Sequence, residues 1–428
     1  MKLSFLFLFC LLLALYSMAI IDDTEIKDNK QKPSNYEYEL EHYLAENSHA
    51  IKVTNLNSHG PGSLRWAIEK NGARIIHFDV SGVIDLKMQN LKIRNPYLLI
   101  KGESAPSPGI TIIKGGLRVE THDVIISHLK VRPGDAFQEK KSGWKPDAIT
   151  ITGDITKNVV IKNCSLTWAV DEIIGINIDR KKKNFSSNVI IKNTIISEAL
   201  NNSSHPEGAH SKGLLVHDDV QGVTIENNLF SHNMKRNPYL KRNTKSIIRG
   251  NIIYNPGRKA IHLSSDYHEA LKWGSSTYLF SHSVAIDNIL IPGVNTPNNI
   301  NFISGKGVIY EKNNKILGKN FRAVGNKYYM DSFNIIENNR EYNKVLLCKR
   351  LSEVGARPWE KDSIDLRILR DVIDRSGRII DSQSQVGGYP KSIKQSKINE
   401  STWVHGKAFN YSIYDYCNNK ISKRTFDE

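Results

Sequence analysis

The sequence predicts an all-β fold, a right-handed parallel β-helix, from three observations: a short apolar pattern recurs at uneven intervals, its strands are brief and β-branched, and asparagine collects where they end. The segments "DVIISHLKV" (Asp123–Val131), "NVVIKNCSL" (Asn158–Leu166), "NVIIKNTII" (Asn188–Ile196), "GVTIENNLF" (Gly222–Phe230) and "KSIIRGNII" (Lys245–Ile253) align without gaps, spaced 35, 30, 34 and 23 residues apart. A fixed motif with variable insertions indicates a solenoid. Stacked coils bring equivalent side chains into ladders about 4.8 Å apart. Asn163, Asn193 and Asn227 are therefore expected to form an internal asparagine ladder.

Taken in chain order, residues 1–19 carry one early lysine, an apolar run and small residues at Ser17 and Ala19. This pattern predicts a signal peptide cleaved after Ala19 and hence a secreted, extracellular protein. The run is short for a membrane anchor and no second one follows, so no stable membrane insertion is expected. Residues 20–50 are polar and charged and read as a flexible leader or a loose wrapping segment. The β-helix is expected over 51–320. Near its start, "GPGSLRWAIEKNG" predicts a short helix with Ser63 as its cap and Gly72 as its stop. That helix would cover the open edge of the solenoid, where unpaired strands invite aggregation. Over 321–428, "KDSIDLRILRDVIDRSG" predicts an amphipathic helix, with Leu366, Ile368, Leu369, Val372 and Ile373 on one face and Gly377 as its stop. The polar, aromatic tail beyond it is expected to wrap the solenoid. Cys348 and Cys417 can pair in an oxidising compartment, whereas Cys164 sits in an apolar strand as a small buried residue.

The formal net charge is +15. In an exported chain that surplus points to an anionic partner. Nucleic acid is not expected, because no long basic run, interleaved aromatic stripe or zinc spacing is present. An acidic polysaccharide fits, and the chain is expected to act as a monomer.

In a solenoid, chemistry lies where insertions leave one face. Four stretches do so: "FQEKKSGWKPDAITI" with Asp147, "CSLTWAVDEIIGI" with Asp171 and Glu172, "EALNNSSHPEGAHSKGLLV" with His205, His210 and Lys212, and "SHNMKRNPYLKRN" with two pairs of cations around Pro238. Carboxylates on early coils and cations on later ones predict a bipolar groove. Oxygen ligands of this kind suit calcium, a hard cation that tolerates irregular geometry. A hydrolase on the same scaffold would need clustered acids for acid and base work, and the sequence alone shows no such cluster.

From Val53 to Pro390 the chain resembles the pectate lyase family (polysaccharide lyase family 1), in its bacterial and fungal branch. The resemblance rests on "GSLRWAI", "RIIHFDVSGVIDL", "IKGESAPSPGITI", "DVIISHLKVRPGD", "NCSLTWAVDE", "HSKGLLV", "KRNPYLKRN" and "DSIDLRILRDVIDRSGRIIDSQSQVGGYP", in that order. It implies a parallel β-helix and calcium-assisted β-elimination on polygalacturonate. Arg236 matches the arginine that takes the C5 proton, and Lys212 is the nearest match to an assisting lysine. Lys241, with Arg242 adjacent, matches the cation that binds substrate carboxylate. His210 and Trp168 are further expected substrate contacts. Asp147 and Asp171 match calcium ligands. A further carboxylate expected at position 175 is replaced by Gly175, for which Glu172 or Glu198 would compensate. Without calcium, the resemblance extends to lyases acting on methylated pectin or another uronate polymer. A non-catalytic β-helix that binds acidic glycans is the remaining alternative. An arginine base is demanding, because the guanidinium pKa lies above 12. Neighbouring cations would lower it.

Overall fold

The computed structural model describes residues 36–177, 187–265, 271, 279–318, 322–324, 344–390 and 413–422. Residues 1–19, expected as a signal peptide, lie outside the described residues. The chain divides into two compact units, Met1–His42 and Tyr43–Glu428. Of the first, the described part is the beginning of helix α1 (Tyr36–Asn47). The leader expected over 20–50 therefore ends in regular structure: α1 carries Leu40 and Leu44 one turn apart, both buried, and His49–Val53 is a strand.

In the second unit, three sheets of ten, nine and nine strands run side by side, each strand pairing in parallel with its equivalent on the next coil. This is the expected right-handed parallel β-helix. The gapless repeat of the sequence coincides with the strand register: Val124 pairs with Val159, Val159 with Val189, Val189 with Val223 and Val223 with Ser246. Each repeat crosses from the first sheet to the second through a single left-handed residue. Asn163 (φ 48°), Asn193 (φ 51°) and Asn227 (φ 52°) hold that corner, a conformation that asparagine tolerates better than most residues.

The expected ladder is consequently displaced by one residue. With Asn163, Asn193 and Asn227 at the corner, the next residue turns inward, and there Asn228, Asn251, Asn288 and Asn314 stack. Asn228 Nδ2 donates to Asn251 Oδ1 at 3.0 Å, Asn251 Nδ2 to Asn288 Oδ1 at 2.9 Å, and Asn288 Nδ2 to Asn314 Oδ1 at 2.9 Å. The second amide hydrogen of each donates to a backbone carbonyl, as Asn251 does to Ile225 at 2.8 Å. Buried amides are acceptable only when paired in this way.

Helix α2 (Leu64–Ile68) starts where expected, with Ser63 Oγ accepting from the Trp66 N–H. It ends at Glu69 rather than at Gly72, which instead turns the chain (φ +82°) toward the strand Arg74–Phe78. It packs on the first strands of two sheets, His49–Val53 and Leu91–Ile93, and so covers that end of the coil.

In the second sheet, Leu166, Ile196, Phe230, Ile253 and Leu290 stack inward, while Ile195, Leu229, Ile252 and Ile289 stack outward. An outward apolar ladder needs a cover, since burying each such side chain is worth about 1.5–3 kcal/mol. Helices α3 (Lys344–Glu353), α4 (Ser363–Asp374) and α5 (Ile413–Ser422) supply residues to that second core. The Cys348–Cys417 disulfide joins α3 to α5. Asp362 caps α4, and Arg375 (φ 60°) ends it two residues before the expected Gly377.

Candidate active site

The site lies along the leading ends of successive strands of the third sheet. Asp147 precedes Ile149–Ile151, Glu172 opens Glu172–Ile176, Lys212 opens Lys212–Val216, and Arg236 precedes Tyr239–Leu240. Glu172 and Lys212 are register partners, and Lys212 forms a bridge with Lys235 on the next coil. Gly213 permits that close approach: a Cβ there would meet the Arg236 carbonyl oxygen at 2.5 Å. Arg236 itself is left-handed (φ 66°), a conformation costly for a long side chain and often retained where function requires it. Its carbonyl accepts the Leu214 N–H at 2.6 Å, and Asn237 Nδ2 donates to the Lys259 carbonyl at 3.0 Å.

Three carboxylates converge on the early coils. One oxygen from each of Asp147, Asp171 and Glu172 lies within 4.8 Å of the others. Asp147 Oδ1 accepts the Glu172 N–H at 3.0 Å, and its Oδ2 accepts the Thr150 hydroxyl at 2.7 Å. Burial, offset by the Thr150 hydroxyl and reinforced by Asp171, pushes the Asp147 carboxyl up to about 6. Burial and the neighbouring Asp147 push Glu172 up to about 8. Burial raises Asp171 as well, but the Lys212 ammonium, 3.0 Å away, holds it below the ordinary range. The three carboxylates that the sequence offered as oxygen ligands are therefore brought together. They fit a hard divalent cation, because their surplus negative charge is what such an ion neutralises. Gly175 supplies no ligand: a Cβ there would lie 3.1 Å from Asp147 Oδ2. Glu198 does not replace it. It is buried beneath α4, where it accepts from Arg367 Nη1 at 2.6 Å and Nη2 at 2.8 Å.

The cations behave in two ways. Arg236 donates through Nη1 to Glu172 Oε1, and Lys212 Nζ sits between Asp171 and Glu172, at 3.0 and 3.6 Å. The expected substrate contacts Lys241 and Arg242 are buried and already matched by carboxylates. Lys241 pairs with Asp218 at 3.2 Å and Arg242 with Asp219 at 2.9 Å, because the coil below presents both acids beneath them. The half-buried cations near the groove are Lys235 and Lys259. Burial, and then Arg236 and Lys212, lower the Lys235 ammonium; burial and Arg258 lower that of Lys259. Tyr239 stacks on His262 at 4.3 Å beside them. The only sequence sign of Lys259 is its position 23 residues after Arg236, the offset at which Tyr239 pairs with His262.

Trp168 is corrected outright. It is fully buried, donates from Nε1 to Glu198 Oε2 at 2.9 Å, and packs in the second core away from the groove. Its left-handed backbone (φ 64°) turns it to the face opposite Asp171, although only three residues separate them. His210 does reach the site: its Nε2 lies 3.6 Å from Asp171 Oδ1.

No protein-family model matches the chain. Over 206 residues it is 34% identical to a protein named probable pectate lyase C from Aspergillus flavus, covering 48% of this chain and 43% of the relative. Over 221 residues it is 31% identical to the protein of that name from Aspergillus fumigatus, covering 51% and 46%. Both relatives carry the name probable pectate lyase C. The chain spans less than half the length of these curated relatives. Among solved structures, Jun a 1, the major allergen from cedar pollen, superposes with a TM-score of 0.51 over 73% of this chain and 89% of that one. At 18% identity, that likeness concerns the fold. The resemblance to pectate lyases read from the sequence thus has relatives behind it. The carboxylate trio, Arg236 and Lys212 meet at the leading ends of the third-sheet strands.

Proposed function

We propose that the chain is a secreted pectate lyase that cleaves polygalacturonate by β-elimination. The observation that carries this reading is the juxtaposition, on adjacent coils, of Arg236 and Lys212 with three carboxylates of surplus negative charge, in a chain whose relatives are named probable pectate lyase C. Asp147, Asp171 and Glu172 would hold calcium, which when bound supplies positive charge to the uronate carboxylate and acidifies the C5 proton. Arg236, beside Glu172, is the group that takes that proton. The C5–H electron pair becomes the C4–C5 double bond, and the C4–oxygen bond breaks toward the leaving sugar. Lys212 sits where it can steady the charge that develops on the carboxylate, the kind of preorganised stabilisation that carries much of enzymatic rate enhancement. Lys235 and Lys259 take the place of Lys241 and Arg242 as the cations that meet further substrate carboxylates.

One observation favours a calcium-independent variant acting on methylated pectin. Arg236 and Lys212 already compensate Glu172 and Asp171. An ultraviolet assay on polygalacturonate decides between these readings. A lyase gives unsaturated, absorbing products. Chelation abolishes the signal in the first reading, and in the second the signal survives and is larger on methylated pectin. A hydrolase would release reducing ends with no such absorbance, and a glycan-binding protein would release nothing.

A further inference from the structure

The loop before Lys212 holds a group that the elimination does not use. His210 is 4% exposed, and its Nε2 has no hydrogen-bond partner among the described residues. Its Nδ1 lies 3.1 Å from the Gly208 carbonyl oxygen, so Nδ1 carries the proton and Nε2 presents a lone pair. That lone pair faces Asp171 Oδ1 at 3.6 Å. Asp171 Oδ1 already accepts from the Lys212 ammonium at 3.0 Å, so the buried His210 Nε2 is the atom left without a partner among the described residues. His205 stacks on His210, 3.3 Å between ring centroids, and its Nε2 lies 3.6 Å from the other Asp171 oxygen. Both rings are buried. The loop is pinned: His210 N–H donates to the Asn201 carbonyl at 2.9 Å, Ser211 N–H to Leu200 at 3.0 Å, and Asn201 N–H to Ile380 at 2.8 Å.

We propose that Asp171, His205 and His210 form a binding site for a borderline divalent transition metal of the zinc class, competing with Lys212 for Asp171. Two imidazoles and one carboxylate suit such a metal and do not suit calcium, which takes oxygen ligands. Ligand atoms around a tetrahedral zinc lie roughly 3.3 Å apart, given bonds of about 2.0–2.2 Å. The observed separations of 3.6 Å need a small closure and a turn of His210 against His205, because the stacked rings, 25° between their planes, now hold their Nε2 lone pairs nearly parallel. The Nδ1–H of His210 on a backbone carbonyl is the outer hydrogen bond that orients metal-bound histidines. His205 needs one adjustment, because its Nδ1 now accepts the Glu207 N–H at 3.1 Å. On metal binding, the proton on Nε2 moves to Nδ1 and the Glu207 amide turns away. Glu207 is exposed and can follow.

The metal would draw Asp171 out of the carboxylate trio and displace the Lys212 ammonium. Inhibition by zinc follows only if the proposed lyase reading holds; the binding site stands without it. The test is calorimetric titration of the full chain with zinc, no substrate present. The expected result is one tight equivalent per chain. His210→Gln, with unchanged melting temperature, should lower its affinity by at least the roughly 10–100-fold that loss of an outer partner costs at a metal site. Lys212→Met should tighten it, and cobalt in place of zinc should give the visible bands of a tetrahedral site. Calcium affinity should be unchanged in His210→Gln. If His210→Gln unfolds, His205→Gln carries the same test. Absence of a tight equivalent, or one indifferent to both histidine substitutions, overturns the site. Zinc binding without any lyase activity would sink the proposed function and leave this site intact.

Discussion

Two charge clusters built from the same residue types lie on different faces of the same β-helix, and they do opposite things. Beneath helix α4, Arg132 is fully buried. It donates to Asp362 at 2.8 and 3.1 Å and to Asp365 at 2.8 Å, and Lys130 adds a second cation 3.2 Å from Asp362. Despite burial, Arg132 and Lys130 hold the Asp362 carboxyl far below its usual range. Burial and Asp362 raise Asp365, yet the Ser165 hydroxyl and Arg132 both donate to it. On the third sheet, Arg236 is partly exposed and meets one carboxylate, while Asp147 and Glu172 are pushed up beside it. The first cluster closes both of its carboxylates on cations and fastens a helix, although Arg132 Nε finds no partner among the described residues. The second sets three carboxylates against two cations, an excess of negative charge that a charged substrate or ion can complete.

The sharpest way to break that contrast is to remove Arg132. Arg132→Ala leaves the buried Asp365 without its cation and Asp362 with Lys130 alone, a change that costs about 3–5 kcal/mol. Chemical denaturation should show the loss, and any protein that remains folded should keep the proposed lyase turnover. A stability loss under about 1 kcal/mol would mean that the cluster is not the closed network described here.

A smaller effect separates the basic end of the groove from the rest. Burial, and then Lys259, push His262 down to about 3. The folded state therefore binds this proton less readily than the unfolded chain. The associated stability is present above the ordinary histidine value of about 6.5 and drains away as pH falls toward about 3. His262→Gln should flatten the decline in melting temperature between these limits. An unchanged slope would show that His262 titrates normally.

How much of this was legible in the sequence follows from what each residue answers to. Val159, Val189 and Val223 answer to stacking, which repeats, and their register could be read directly. The asparagine ladder was misread by one residue, because asparagine serves both the left-handed corner (Asn193, Asn227) and the inward stack (Asn228, Asn251). Composition does not separate the two positions. Trp168 was misplaced because three residues in a tight coil reverse the facing of a side chain. Lys241 and Arg242 look like free cations until the coil below places Asp218 and Asp219 against them. His205 and His210 lie in an insertion that obeys no period, so only the folded loop reveals that they meet Asp171. The Asp147–Asp171–Glu172 convergence depends on coil stacking across stretches of unequal length, and the sequence showed its members without their distances.

The central claim is that Arg236 is the base of an elimination site and not a structural cation like Arg132. Arg236→Lys on polygalacturonate, followed by product absorbance alongside the melting temperature, tests it most directly. The account predicts a rate loss of about hundredfold or more, the usual scale for a displaced proton acceptor, at an essentially unchanged melting temperature. Near-normal turnover in Arg236→Lys, or a rate loss matched by unfolding, would contradict it.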